Sequence, residues 1–190
     1  MRHDPNVLRP QFSRDGQPDA WMTPPDLIKA LIKHVLPEVV SKHTLIWDPA
    51  MGDGKLLRAI NKAGYATFGT DAYAIRDPID FLAYIPTDKP TLVTNPPFNQ
   101  LDEWIGHAVG LLHAGHLRNV VLLLRGDHLG AARRAWHLNH ASRIYVCAWR
   151  PRWIEGTTTS PRFWFTWVVW RGGEANPLPE ISWLTPEDIT

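Results

Sequence analysis

Apolar positions recur along this chain with two periods. Leu27, Ile28, Leu31, Ile32 and Val35 lie three and four residues apart, the spacing of a helix with one buried face. They predict a helix from Pro24 to about Val40, with Thr23 as N-cap, Pro24 at its first position, Asp26 completing a Thr-x-x-Asp box and Pro37 disturbing its last turn. Leu56, Leu57, Ile60 and Ala63 predict a second helix near 54–63, stopped by Gly64. Further helices are expected near 101–114 and 127–138. Short apolar runs predict strands near 44–48, 65–71, 91–95, 119–125, 143–149 and 163–171. Strands alternating with helices imply an α/β sheet. The organisation expected is an N-terminal arm over 1–20, one domain over 21–173 and a loose tail over 174–190, without repeats or low-complexity tracts.

Two strand ends carry unusual chemistry. The first predicted strand runs into Asp48-Pro49-Ala50-Met51-Gly52-Asp53-Gly54 before the second helix, where Gly52 and Gly54 let the backbone approach a ligand without a Cβ in the way. An ordinary strand-to-helix turn is the plainer reading, and the spacing departs from the GxGxxG dinucleotide fingerprint. The next strand ends at Asp71, 23 residues beyond Asp48, where a doubly wound sheet presents a carboxylate to ribose hydroxyls. Asp80-Phe81 adds an acid and an aromatic ring suited to an adenine edge and face, or simply a surface acid beside a core ring. The strand Thr91–Thr94 then runs into Asn95-Pro96-Pro97-Phe98, which can present an amide, a rigid carbonyl and an aromatic face to a planar amine.

In this order, Thr23-Pro24-Pro25, DPAMGDG, Asp71, Asp80-Phe81 and NPPF resemble the gamma-type arrangement of S-adenosylmethionine-dependent N6-adenine DNA methyltransferases. The resemblance covers roughly residues 21–171. Arg150 to Gly156 and Phe165 to Trp170 look like the closing strands of small phage-encoded members. It implies a Rossmann-like class I methyltransferase fold, a seven-stranded mixed sheet with an antiparallel last strand and helices on both faces. It further implies S-adenosyl-L-methionine as cofactor, held by Trp21, Thr23, Pro24, Asp48, Pro49, Ala50, Gly52, Gly54, Asp71, Ala72, Asp80, Phe81 and Asn95. The catalytic loop would be Asn95, Pro96, Pro97 and Phe98. In it the Asn95 side-chain oxygen and the Pro96 carbonyl accept the two N–H bonds of a flipped adenine, and Phe98 stacks on its ring. RNA adenine and protein glutamine are the alternative substrates, since Asn-Pro-Pro-aromatic loops serve planar amines in all three. A catalytically silent protein that binds cofactor or DNA is the alternative of another class.

Composition narrows the picture further. The chain has 190 residues, 44% of them hydrophobic, enough for one buried core. No apolar run reaches membrane-spanning length, residues 1–20 lack a hydrophobic signal region, and the sole cysteine, Cys147, lies in an apolar stretch. A cytoplasmic monomer or small homo-oligomer with a buried structural thiol is therefore expected. Nine histidines form no tight ligand cluster, so no metal is expected, and no G-x-S-x-G elbow occurs. Net charge is only +1, but from Arg118 to Arg171 nine arginines face two acids, Asp127 and Glu155. With Trp136, Trp149, Trp153 and Trp164 interleaved, that surplus suits a double-stranded DNA partner, Arg150, Arg152 and Arg162 being the candidate contacts. Solvated arginines and core tryptophans are the other reading.

Overall fold

The computed structural model describes residues 22–74, 77–153, 163–173 and 178–190. The first apolar stripe is helical but starts one residue later than expected. Pro24 precedes another proline, which forces it out of the helical region (φ −57°, ψ 145°). It is therefore the N-cap of α1 (Pro25–Ala30), and its carbonyl accepts from Ile28 N. Thr23 does not cap, and Asp26 accepts from Leu27 N and from Trp149 Nε1, 2.6 Å away. The helix continues as a π turn, Leu31–Val35, into α2 (Leu36–Val39). Pro37 lacks the N–H a regular helix would use there, and the widened turn immediately precedes it.

The strands and helices follow in order: β1 (Ile46–Asp48), α3 (Lys55–Lys62), β2 (Thr67–Gly69), β3 (Thr91–Thr94), α4 (Leu101–His113), β4 (Asn119–Arg125), α5 (Ala135–Asn139), β5 (Arg143–Cys147), β6 (Phe165–Arg171) and β7 (Glu180–Leu184). They form a seven-stranded mixed sheet in the order β2-β1-β3-β4-β6-β5-β7. The strands from β2 to β4 are mutually parallel, and β6 runs antiparallel to both β4 and β5. The strand expected over 163–171 is thus antiparallel, as anticipated.

Two elements differ from the expectation. Residues 180–184, within the expected loose tail, pair parallel with β5 in a five-residue register from Arg143↔Glu180 to Cys147↔Leu184. Their pairing rests on backbone hydrogen bonds, and although Ile181 and Trp183 alternate with Glu180 and Ser182, both remain exposed, so the short alternation does not mark a buried face. The helix expected over 127–138 divides instead into 3₁₀ segments, Gly126–Gly130 and Ala132–Arg134, followed by a short α5. Gly126 and Gly130 disfavour a continuous helix.

Burial alternates with the pleat. Val121 and Leu123 of β4, with Trp167 and Val169 of β6, face a core built by α1, α2 and α3. Val120, Leu122 and Leu124, with Val168 and Trp170, face a second core under α4 and α5. Helices therefore cover both faces. Trp47, fully buried in β1, stacks on Phe68 at 5.8 Å, meets Phe81 and Tyr84 at 5.7 and 5.4 Å, and donates from Nε1 to Thr70 Oγ1. No helix of the described residues is long and apolar enough to cross a membrane. Replacing Trp47 by alanine removes the residue on which these rings converge and should lower stability by about 3–5 kcal/mol, read as a reduced urea midpoint at unchanged m-value.

Candidate active site

From β1 the chain winds to β2 on one side, and from β3 to β4 on the other. The order reverses between β1 and β3, and the crevice beyond the carboxyl ends of such strands is where open α/β sheets bind ligands. Here it holds a cavity of about 550 Å³. Asp48 ends β1 and Asn95 follows β3, so the two sequence motifs meet across a single strand pair. Asp48 is only 2% exposed, and its Oδ1 accepts from Ala50 N at 3.0 Å and Thr94 Oγ1 at 2.7 Å. Burial pushes its carboxyl up to about 7, partly offset by those two hydrogen bonds and reinforced by the charge of Asp71.

The glycine loop is held by acids rather than by packing alone. Gly52 adopts φ +51°, and its N–H donates to Asp71 Oδ2 at 2.9 Å, while Asp71 Oδ1 accepts from Tyr73 N. A carboxylate at the end of β2 thereby fixes the loop after β1. Asp80 caps the 3₁₀ turn Phe81–Ala83 by accepting from Leu82 N. Thr23, Asp48, Pro49, Ala50, Gly52, Asp71, Ala72, Asp80, Asn95 and Pro97 all line the cavity. Pro24, Gly54, Pro96 and Phe98 adjoin these residues in sequence but do not line it. Phe81 does not line it either: 1% exposed, it sits in the core against Trp104 and His107, and its neighbour Leu82 reaches the cavity instead. Trp21 lies outside the described residues.

Beyond the Pro-Pro turn, Phe98 packs against His128 at 5.6 Å and against Trp153 and Phe165, each at 6.3 Å. Burial, reinforced by the charge of Arg125, lowers the His128 pKa to about 4, so the imidazole beside Phe98 is neutral at neutral pH. Arg134, 5% exposed, binds Asp102 near the start of α4 and the His128 carbonyl, tying this segment to the helix that follows the loop.

The arginine surplus is smaller in space than in sequence. Arg125 pairs with Asp127, Arg133 and Arg134 with Asp102, and Arg143 with Glu38 and Glu180, while Arg171 donates to the Glu38 carbonyl. Three of those acids lie outside the 118–171 stretch. Arg150 and Arg152 are exposed, and Arg162 lies outside the described residues. Cys147 is fully buried, which pushes its thiol up and leaves it unreactive.

This architecture is similar to that of a Listeria monocytogenes protein described as a class I S-adenosylmethionine-dependent methyltransferase, at 14% identity and a TM-score of 0.58, over 88% of this chain and 67% of that one. It is also similar to the methyltransferase subunit of a type I restriction-modification system from Streptococcus thermophilus, at 15% identity and TM-score 0.55. That match covers 87% of this chain and 47% of the subunit. The fold is that of the class I methyltransferases. The 23S rRNA methyltransferase ErmE shares it at 10% identity and TM-score 0.56, over 82% of this chain and 71% of that one. This chain spans about half the length of the restriction-modification subunit. No protein-family model and no curated protein matches the sequence.

Within this methyltransferase fold the cavity also recruits residues that no motif announced: Met22, Lys55, Tyr73, Leu82, Gln100 and Trp104. Lys55 and Tyr73 each sit within two residues of a motif acid, the one signal that points to them. Trp104 comes from the buried face of α4, and its Nε1 is buried without a hydrogen-bond partner among the described residues. A buried indole N–H is normally satisfied, so its place beside the cavity leaves room for an acceptor from a ligand.

The Asp48 carboxyl gives a pH signature with a defined sign. Its folded pKa is raised, so between about 4 and 7 the native state keeps a proton that the unfolded chain releases, and stability falls as pH rises through that window. Both hydrogen bonds go to Oδ1, which asparagine retains. Asp48→Asn should therefore gain thermal stability over the wild type progressively from pH 5 to pH 8; a difference independent of pH would remove this explanation.

Proposed function

We propose that this chain is an S-adenosylmethionine-dependent methyltransferase acting on adenine N6 of DNA. One observation carries the reading: Asn95 and Pro97 line the same cavity as Asp48, Gly52 and Asp71, so the amine loop and the nucleoside-holding loop address one space. The residues present fit this cofactor. About 550 Å³ suits a nucleoside with an amino-acid arm, carboxylates close the ends of β1 and β2, and the Trp104 indole offers a donor. Asp71 and Asp80 would hold the nucleoside, with Leu82 in the position first assigned to Phe81. Asp48, Ala50 and Gly52 would hold the opposite arm. The cofactor supplies an electrophilic methyl group on a sulfonium.

The loop residues answer a difficulty of the substrate. An exocyclic amine is a poor nucleophile because its lone pair is delocalised into the ring. The Asn95 amide oxygen and the Pro96 carbonyl, accepting its two N–H bonds, favour a pyramidal nitrogen and stabilise the positive charge that develops there. Reaching such a loop requires the base to leave the duplex, and Phe98 supplies a stacking surface. Support for DNA comes from the order of the motifs, and Arg150 and Arg152, which remain exposed where most neighbouring arginines are paired, favour a nucleic acid over a protein amide.

The test is transfer of labelled methyl groups to duplex DNA, RNA and a glutamine-bearing protein, with mapping of the modified base. DNA N6-methyladenine is expected; label on RNA or glutamine alone would move the assignment to that substrate. Asn95→Ala should reduce turnover by about 10²–10³-fold while cofactor affinity stays near that of the wild type. Unchanged turnover in the folded variant would sink the catalytic role of Asn95.

A further inference from the structure

The ionisable groups that line the cavity are almost all acids. Among the described residues that line it, Asp48, Asp53, Asp71 and Asp80 are acidic, and Lys55 alone is basic. The acids are each engaged by the backbone: Asp48 by Ala50 N, Asp53 by Lys55 N at 2.8 Å, Asp71 by Gly52 N and Tyr73 N, and Asp80 by Leu82 N. The Lys55 ammonium, by contrast, takes part in none of the ion pairs formed among the described residues. Asp53, its nearest acid in sequence, lies 4.0 Å from the guanidinium of Arg58 instead. Position matters as well as charge. Gly54, at φ +76°, turns the chain so that Lys55 opens α3 at the carboxyl end of β1, half-buried beside the loop that Asp71 holds.

A lone, partly shielded cation in an acid-lined cavity calls for an anionic partner from the ligand. The cofactor assigned above carries one anionic group, the α-carboxylate of its amino-acid arm. We propose that Lys55 binds this α-carboxylate and sets the cavity's preference for the intact amino-acid arm; the inference rests on the cofactor reading above. An α-amino acid presents a cation and an anion one carbon apart, and the loop offers the complementary pair two residues apart, Asp53 and Lys55. The same ammonium chemistry would suit a nucleic-acid phosphate at the cavity mouth, and the experiment separates the two.

Calorimetry without nucleic acid should compare S-adenosylmethionine with its decarboxylated form, which differs only at that group. The wild type should bind the intact cofactor about ten- to a hundred-fold more tightly, the range of a charge-assisted hydrogen bond. Lys55→Met should lose that advantage and leave affinity for the decarboxylated form unchanged. Lys55→Arg should restore most of it, and both variants should unfold at the wild-type temperature. Equal weakening of both ligands, or full retention of the preference in Lys55→Met, would overturn the proposal. So would an unchanged preference accompanied by a shallower salt dependence of DNA binding, which would reassign Lys55 to phosphate. A wild type that binds neither ligand would overturn the cofactor reading itself, and this inference with it.

Discussion

The 2.7 Å hydrogen bond from Thr94 Oγ1 to Asp48 Oδ1 is the constraint on which the candidate site depends. β1 and β3 are neighbours by register, but register alone does not decide how the loops leaving them diverge. A carboxyl buried at the end of one strand needs partners, and it finds one on the adjacent strand and one, Ala50 N, in its own loop. Each loop is thus pinned to the same oxygen. The buried bond also explains why the cavity stays defined although the walls beyond it are loops: the divergence point is set inside the sheet, below solvent.

A second layer of control comes from charges that act at a distance along the chain and close together in space. Glu38, at the end of the first helical segment, receives the Tyr145 hydroxyl at 2.7 Å and the Arg143 guanidinium. Asp102 receives two arginines from the segment before α5. These pairs tie α2 to β5 and α4 to the segment before α5, adding to the apolar packing and to hydrogen bonds such as that from Trp167 Nε1 to the Leu27 carbonyl. They also engage three of the nine arginines between Arg118 and Arg171 with acids from outside that stretch, so the exposed basic surface is narrower than the linear count implies.

Most of the sheet was legible because buried strands between helices must be apolar on both faces: Thr91–Thr94 and Asn119–Arg125 read as strands on pattern alone. Both candidate ligand loops were legible for a different reason, that glycine and proline at strand ends leave few conformations open. What escaped the pattern was decided by tertiary contacts. β7 exists because β5 offers an unpaired backbone edge, a fact invisible in Glu180–Leu184 itself. Phe81 reads equally well as a ligand platform or a core ring, and Trp104 and His107 decide for the core. The indole of Trp104 meets the cavity because α4 packs against β4 and the Phe81–Ala83 turn, whereas Lys55 was one charged residue among many until the fold placed it in a cavity with four acids.

The proline pair after β3 has a consequence for discrimination. Pro96 and Pro97 have no amide hydrogen, so this stretch of backbone offers lone pairs and no backbone donors. A group that arrives with hydrogens on nitrogen finds acceptors waiting. A ketone, a carboxylate or a phosphate oxygen would bring its own lone pairs against those carbonyls, with no main-chain N–H there to relieve the contact. Under the proposed amine-loop reading, two residues suited to rigidity would thus also act as a filter, rejecting oxygen-rich groups by repulsion rather than selecting nitrogen by attraction alone.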